Sequence, residues 1–194
     1  PVGWNHAHGR RVAGHVLPGF SVFSHADARR AAQALLRRGA LRIKDPHGVG
    51  GVGQWVARDG REAEERLQAF SSEALAQGLV LEMNLAQVRT LSVGQVRVGD
   101  QVASYYGTQS LTHNHQGQEV YGGSTLVVSR GPLEALLRTR LTGDVRLAVE
   151  QALAYHRAAL RCYPGLLASR CNYDIAQGVD AEGRAHSGVL EQSW

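Results

Sequence analysis

The chain has 194 residues, 43% hydrophobic and 20% charged, with a formal net charge of +4. That is enough for one sizeable core or two small subdomains of ordinary globular composition. No apolar run approaches the ~20 residues that span a bilayer, and no signal-peptide pattern opens the sequence. The basic residues are scattered rather than blocked and lack interleaved aromatics, which argues against a nucleic-acid binder and fits a small anionic ligand.

In chain order, residues 1–19 are rich in Gly, His and Arg without a period and read as a loop or linker. Ser24 caps a helix over 25–38 whose apolar stripe is Ala28, Ala31, Ala32, Leu35 and Leu36, and Gly39 stops it. A short strand, 41–44, halts at Asp45-Pro46. A glycine loop over 47–53 leads into a second strand, 54–57, which makes a hairpin. A helix follows over 61–70, and the apolar run Leu79-Val80-Leu81 opens a buried strand over 78–85. Strands over 90–98 and 101–108 form a hairpin through Gly99-Asp100. After a polar loop comes a strand over 124–129, a helix from Pro132 to about residue 140, and a longer amphipathic helix over 142–160. Two last strands, 166–176 and 184–191, flank the turn at 180–183. The pattern is α+β with antiparallel sheets. Met83 is the only methionine, and Trp194 directly follows a predicted strand, so both ends read as cut from a longer protein. Cys162 and Cys171 lack the CxxC spacing, and a reducing cytoplasm is the expected setting.

Of the 21 basic residues, only Lys44 is a lysine. It stands just before Gly48-Val49-Gly50-Gly51-Val52-Gly53. This run satisfies GxGxxG, but a strand rather than a helix follows it, so it is not the dinucleotide fingerprint. No GK[ST] ends it, so it is not a Walker A loop. Glycines still let a hairpin backbone approach a ligand closely and present successive N–H groups to phosphate. Lys44 adds a compact ammonium, which the planar fork of arginine does not imitate. Further along, Leu79-Val80-Leu81-Glu82-Met83-Asn84-Leu85 ends a strand and offers backbone groups to an adenine edge, with Leu85 under its ring. Asp174 and Glu191 lie on the last two strands, where adjacent carboxylates supply oxygen ligands for Mg²⁺. Arg170 precedes Asp174 by four residues. His6-x-His8 and His113-x-His115 have no nearby cysteine or acidic partner in sequence and do not make a zinc site.

The ordered set Lys-x-Pro with a glycine loop, a strand ending in Glu, then Asp and Glu on late paired strands resembles the ATP-grasp superfamily. The resemblance covers residues 18–194 and is closest to an uncharacterised bacterial ATP-grasp-like family rather than to a named ligase. It implies two α+β subdomains with antiparallel sheets enclosing a nucleotide cleft. Residues 1–19 would be a linker or remnant of a missing amino-terminal domain, 20–80 the first subdomain, and 81–194 the second, incomplete at its end. ATP and Mg²⁺ are the implied ligands. Lys44, His47, Gly48, Gly50, Gly51 and Gly53 would surround the phosphates, the main chain of Glu82 and Met83 with Leu85 would meet adenine, and Asp174 and Glu191 would hold Mg²⁺. Lys44 and Arg170 would be catalytic, with Arg170 supporting an acyl phosphate. The implied activity is ligation of a small carboxylate to an amine or thiol; the alternative is a non-catalytic nucleotide-binding module. Glu191-Gln192-Ser193 departs from the Glu-x-Asn of that superfamily.

Overall fold

A computed structural model describes residues 3–48, 53–113, 115, 117 and 119–194. The elements in chain order are α1 (His6–Val12), β1 (Gly19–Val22), α2 (His25–Leu36), β2 (Leu41–Lys44), β3 (Gln54–Ala57), α3 (Gly60–Gln68), α4 (Ser72–Gln77) and β4 (Leu79–Met83). They continue with β5 (Ala86–Val98), β6 (Gln101–His113), β7 (Glu119–Arg130), a 3₁₀ helix (Leu133–Arg138), α5 (Gly143–Cys162), β8 (Arg170–Val179) and β9 (Ala185–Ser193). They divide into two units, each with its own sheet and core.

The first unit holds Pro18–Ala86 together with Val179–Ala185 and the stretch that ends at Trp4. Its four strands pair antiparallel in the order β1-β4-β2-β3. Ser24 Oγ accepts from Asp27 N–H and starts α2, whose buried Ala28, Ala31, Ala32 and Leu35 recur at helical spacing. That stripe, with Ala63, Leu67 and Leu75 from the other helices, meets Leu41, Ile43, Ala57, Leu79 and Leu81 on one side of the sheet. Leu41, Ile43 and Leu81 have no exposed surface, and each such side chain stabilises the fold by ~1.5–3 kcal/mol. Alternation sends Arg42, Lys44 and Glu82 to the other side.

The second unit holds Asn5–Leu17, Gln87–Gly178 and His186–Trp194. Its five strands run in the order β7-β6-β5-β8-β9. Helix α5 lays Val145, Ala148, Val149, Ala152 and Leu153 against Leu91, Val93, Cys171, Tyr173, Ile175 and Val189, and the 3₁₀ helix adds Leu133 and Leu136. The opposite side of the same strands therefore carries Ser92, Gly94, Asn172 and Asp174.

Several elements differ from the sequence expectation. Helix α1 forms within the expected loop because Asn5 caps it, its Oδ1 accepting from the amides of Ala7 (2.9 Å) and His8 (3.3 Å). Strand β1 was not anticipated: only Val22 of its four residues is buried, so it carries no alternation signal. Helix α4, capped by Ser71, was likewise not anticipated. Strands β5, β6 and β7 run to 13, 13 and 12 residues. The turn Val179–Ala185 belongs with the first unit, where Ala181 packs so closely on Gly39 that a Cβ there would lie 2.8 Å from its own. Among the described residues no helix is long and apolar enough to cross a membrane. Cys162 and Cys171 are free thiols.

Candidate functional site

In the first unit the glycine hairpin is closed at its base by Asp45. Its N–H donates to Gly53 O (2.9 Å), its carbonyl accepts from Gly48 N–H (3.0 Å), and its Oδ1 accepts from His47 N–H (2.8 Å). Gly53 has φ +83°, and a Cβ there would stand 3.1 Å from Gly48 Cα, so two backbones approach at a position that favours glycine. His47 and Gly48 are exposed. Gly50 and Gly51 lie outside the described residues.

Lys44 is only 7% exposed, and its Nζ donates to Glu82 Oε1 at 3.1 Å. The register makes this pair: β2 and β4 align Arg42 with Glu82 and Lys44 with Val80, so all three polar residues share the side of the sheet away from the helices. Taking two charges from water costs several kcal/mol per ion before their attraction offsets it. Arg42 donates to Gln54 Oε1 (3.1 Å) and to Asn84 Oδ1 (2.9 Å), which ties the end of β4 to the hairpin strands.

The stretch expected to meet adenine is partly committed elsewhere. Glu82 sits on an inner strand between Gly19 and Arg42, so the sheet takes its main-chain groups. Met83 N–H donates to Pro18 O (2.9 Å), and Asn84 N–H to Ala40 O (3.0 Å). Leu85 is buried at 6% exposure, and its amide has no hydrogen-bond partner among the described residues.

In the second unit, Asp174 lies on β8 beside β5 and β9. Its Oδ1 accepts from Ser92 Oγ (2.7 Å) and from Asn172 Nδ2 (3.0 Å). Gln109 Nε2 donates in turn to Ser92 Oγ (3.0 Å), and Tyr105 Oη to Asn172 Oδ1 (2.9 Å). Gly94 makes room for this: a Cβ there would lie 2.3 Å from Tyr105 Oη and 2.6 Å from Cys171 O. Asp174 Oδ2 has no partner among the described residues. Burial pushes the Tyr105 phenol above its ordinary pKa, against the opposing pull of Arg170 and with smaller contributions from Cys171 and Asp174. The phenol therefore keeps its proton at neutral pH and donates.

Glu191 is exposed on β9. Two residues before it, Val189 lies in the core under α5. Two residues after it, Ser193 Oγ accepts from Arg170 (3.1 Å). Strand β8 places Arg170, Asn172 and Asp174 at alternating positions on one side. Lys44 with the hairpin belongs to the first unit, and Asp174, Arg170 and Glu191 to the second.

Sequence reasoning did not single out Ser92, Tyr105, Gln109 or Asn172 as a linked group. The signal in β5 is Leu91-Ser92-Val93-Gly94, large apolar alternating with small, and it is legible only once the neighbours of that strand are known.

Two sheets of these strand orders, one bearing a glycine hairpin with its lysine and the other paired acidic strands, define the ATP-grasp fold. Solved structures share it. D-alanyl-alanine synthetase A of Vibrio cholerae O1 biovar eltor matches with a TM-score of 0.59 at 15% identity, covering 95% of this chain and 51% of that one. The biotin carboxylase domain of Hydrogenobacter thermophilus 2-oxoglutarate carboxylase, in complex with MgADP, ADP and bicarbonate, matches with 0.58 at 16% identity, covering 96% and 37%. An N5-carboxyaminoimidazole ribonucleotide synthetase in its ADP complex matches with 0.55 at 16% identity, covering 96% and 42%. The chain thus spans about half or less of these proteins. By sequence it belongs to the family described as "Protein of unknown function (DUF3182)", whose model matches residues 1–194. No curated protein matches it.

Proposed function

We propose that this chain binds Mg-ATP and is the nucleotide-binding part of a ligase that joins a small carboxylate to an amine or a thiol. The observation that carries the reading is Lys44: in a chain that otherwise uses arginine, one lysine is buried with a carboxylate on the strand that enters a glycine hairpin. A compact ammonium suits a phosphate oxygen in a tight site, and the hairpin N–H groups suit the rest of a triphosphate. His47, Gly48, Gly50, Gly51 and Gly53 flank the phosphates in this reading. The amide of Leu85 meets the adenine edge, beside the main chain of Glu82 and Met83.

The fit to a divalent cation rests on Asp174. One of its oxygens is taken by two donors while the other has no partner among the described residues. Among those residues no group of three or more His, Cys, Asp or Glu gathers into a metal site. Mg²⁺ does not require one, because it relies on one or two carboxylates plus nucleotide phosphates and keeps its waters. Asp174 and Glu191 are the carboxylates we assign to it. When bound, Mg-ATP supplies a γ-phosphoryl group to the acid oxygen with release of ADP, and the nucleophile then displaces phosphate and loses a proton. What the protein contributes is position and charge: in this reading Lys44 of the first unit offsets the negative charge of the phosphates, and Arg170 of the second is assigned the charge of the acyl phosphate.

Adenine nucleotides should raise the melting temperature of the intact protein. At a hundredfold excess over Kd the stabilisation is about 2.7 kcal/mol, roughly 5–10 °C for a chain of this size. GTP should do less, because a backbone amide positioned for adenine meets a different edge in guanine. No shift with ATP and Mg²⁺, or equal shifts with ATP and GTP, would count against the reading. One observation favours the second reading, a nucleotide-binding module without turnover: Ser193, where the superfamily pattern has asparagine, is engaged by Arg170. Nucleotide-dependent stabilisation without ADP release over a panel of acids and amines is the result that reading expects.

A further inference from the structure

Four polar side chains on the helix-free side of the second sheet converge on one atom. Ser92 and Asn172 both donate to Asp174 Oδ1, Gln109 donates to Ser92, and Tyr105 donates to Asn172. The direction of donation is consistent along both arms. Tyr105 keeps its proton and must give it to an acceptor, which fixes the Asn172 carbonyl toward it and the amide nitrogen toward Asp174. Ser92 is 6% exposed, so its hydroxyl has little water to turn to, and it accepts from Gln109 while donating to the carboxylate. Gly94 leaves the space in which Tyr105 crosses to Asn172.

We propose that Ser92, Asn172, Gln109 and Tyr105 are positioning residues that occupy Asp174 Oδ1, so that Oδ2 alone is offered to a divalent cation and the site selects small octahedral ions over Ca²⁺. The proposal rests on the Mg-ATP reading above. A carboxylate that can use only one oxygen fills one vertex of an octahedron, as Mg²⁺ and Mn²⁺ require. Ca²⁺ accepts 6–8 oxygens and takes carboxylates in either mode, so a carboxylate free to chelate favours it. Freeing Oδ1 should therefore weaken Mn²⁺ and help Ca²⁺, a change of ratio that a loss of packing does not produce.

The experiment titrates Mn²⁺ into the intact protein with ATP, reading free Mn²⁺ by electron paramagnetic resonance, and then competes with Ca²⁺. Ser92→Ala should raise the half-saturating Mn²⁺ concentration about tenfold, the lower end for an outer-shell partner, and lower the Mn²⁺-to-Ca²⁺ selectivity. Ser92→Thr, which keeps the hydroxyl, should recover most of both. Tyr105→Phe removes the donor that holds the Asn172 amide toward Asp174 Oδ1 and should shift selectivity the same way by less than Ser92→Ala, which keeps the test decisive if Ser92→Ala does not fold. Selectivity unchanged in both Ser92→Ala and Tyr105→Phe overturns the proposal, as does a loss in Ser92→Ala that Ser92→Thr does not recover. Wild-type protein that binds no Mn²⁺ with ATP overturns the Mg-ATP reading and this inference with it.

Discussion

Lys44 and Glu82 are 7% and 5% exposed, so their charges are held with little water. Removing one member of a buried pair leaves the other charge poorly solvated and costs about 3–5 kcal/mol, whereas replacing both with apolar groups of like volume is often neutral. Lys44→Ala should therefore lower the urea midpoint of the intact protein by the equivalent of about 3 kcal/mol, and Lys44→Met combined with Glu82→Leu should recover most of it. A loss under about 1 kcal/mol for Lys44→Ala, below the range expected for a broken buried pair, would show that Glu82 does not depend on the ammonium. Lys44→Arg keeps the charge, yet the planar fork does not fit a point-charge site, so calorimetry should find weaker ATP binding. The importance of Lys44 was legible because the chain avoids lysine elsewhere. Its partner was not, because Glu82 reaches it only through the pairing of β2 with β4, and no local pattern encodes which strands become neighbours.

Helix α1 has seven residues, too few to persist without tertiary contacts. Asn5 supplies one of them and a local cap besides: Nδ2 donates to Cys162 O at the end of α5 (3.0 Å), and Oδ1 caps the first turn. His8 then packs edge-on against Tyr155, ring centroids 5.0 Å apart. Loss of a side-chain cap costs ~1 kcal/mol, and here the carbonyl at the end of α5 loses its donor as well. Asn5→Ala should lower stability by about 1–2 kcal/mol and speed amide exchange in α1 and the last turn of α5, while α2 and β4 keep wild-type protection; equal deprotection of α2 would contradict this local role. The same element shows where sequence reading runs out. Helix α2 was legible from Ser24 and a clean apolar stripe, α5 from an amphipathic pattern over 142–160, and the hairpins from Gly99-Asp100 and the glycine run. Helix α1 buries only Val12, and its stability comes from α5, more than a hundred residues away in sequence. Asp174 and Glu191 were legible as acids on late strands, but the donors of Asp174 lie on β5 and β6, joined to it by sheet order alone.

At the scale of the molecule, His8 and His156, both half-buried in the second unit, give the chain a dependence on pH. His156 Nδ1 lies 2.9 Å from Tyr173 Oη and its ring stacks on Trp194, centroids 5.9 Å apart. Burial pushes the Tyr173 phenol far above its ordinary pKa, with Cys171 and Tyr155 adding to the rise, so the phenol stays protonated, and it donates to or accepts from His156 Nδ1 according to the tautomer of the neutral ring. Burial lowers the pKa of His156, with Glu134 opposing and Arg157 assisting, and burial likewise lowers that of His8. A histidine whose folded pKa lies below its unfolded value binds fewer protons when folded, so stability rises with pH across that interval. The contribution is fully present above the unfolded value near 6.5 and is lost as pH falls through the lower folded value. The melting temperature of the intact protein should fall between pH 7.5 and pH 5.5, and tyrosine and tryptophan near-ultraviolet circular dichroism should follow it, because Tyr155, Tyr173 and Trp194 surround these rings. His156→Phe should melt lower at pH 7.5, where Tyr173 loses its hydrogen-bond partner, but with a shallower slope toward acid. A slope that neither His156→Phe nor His8→Phe reduces would place the acid sensitivity in other groups.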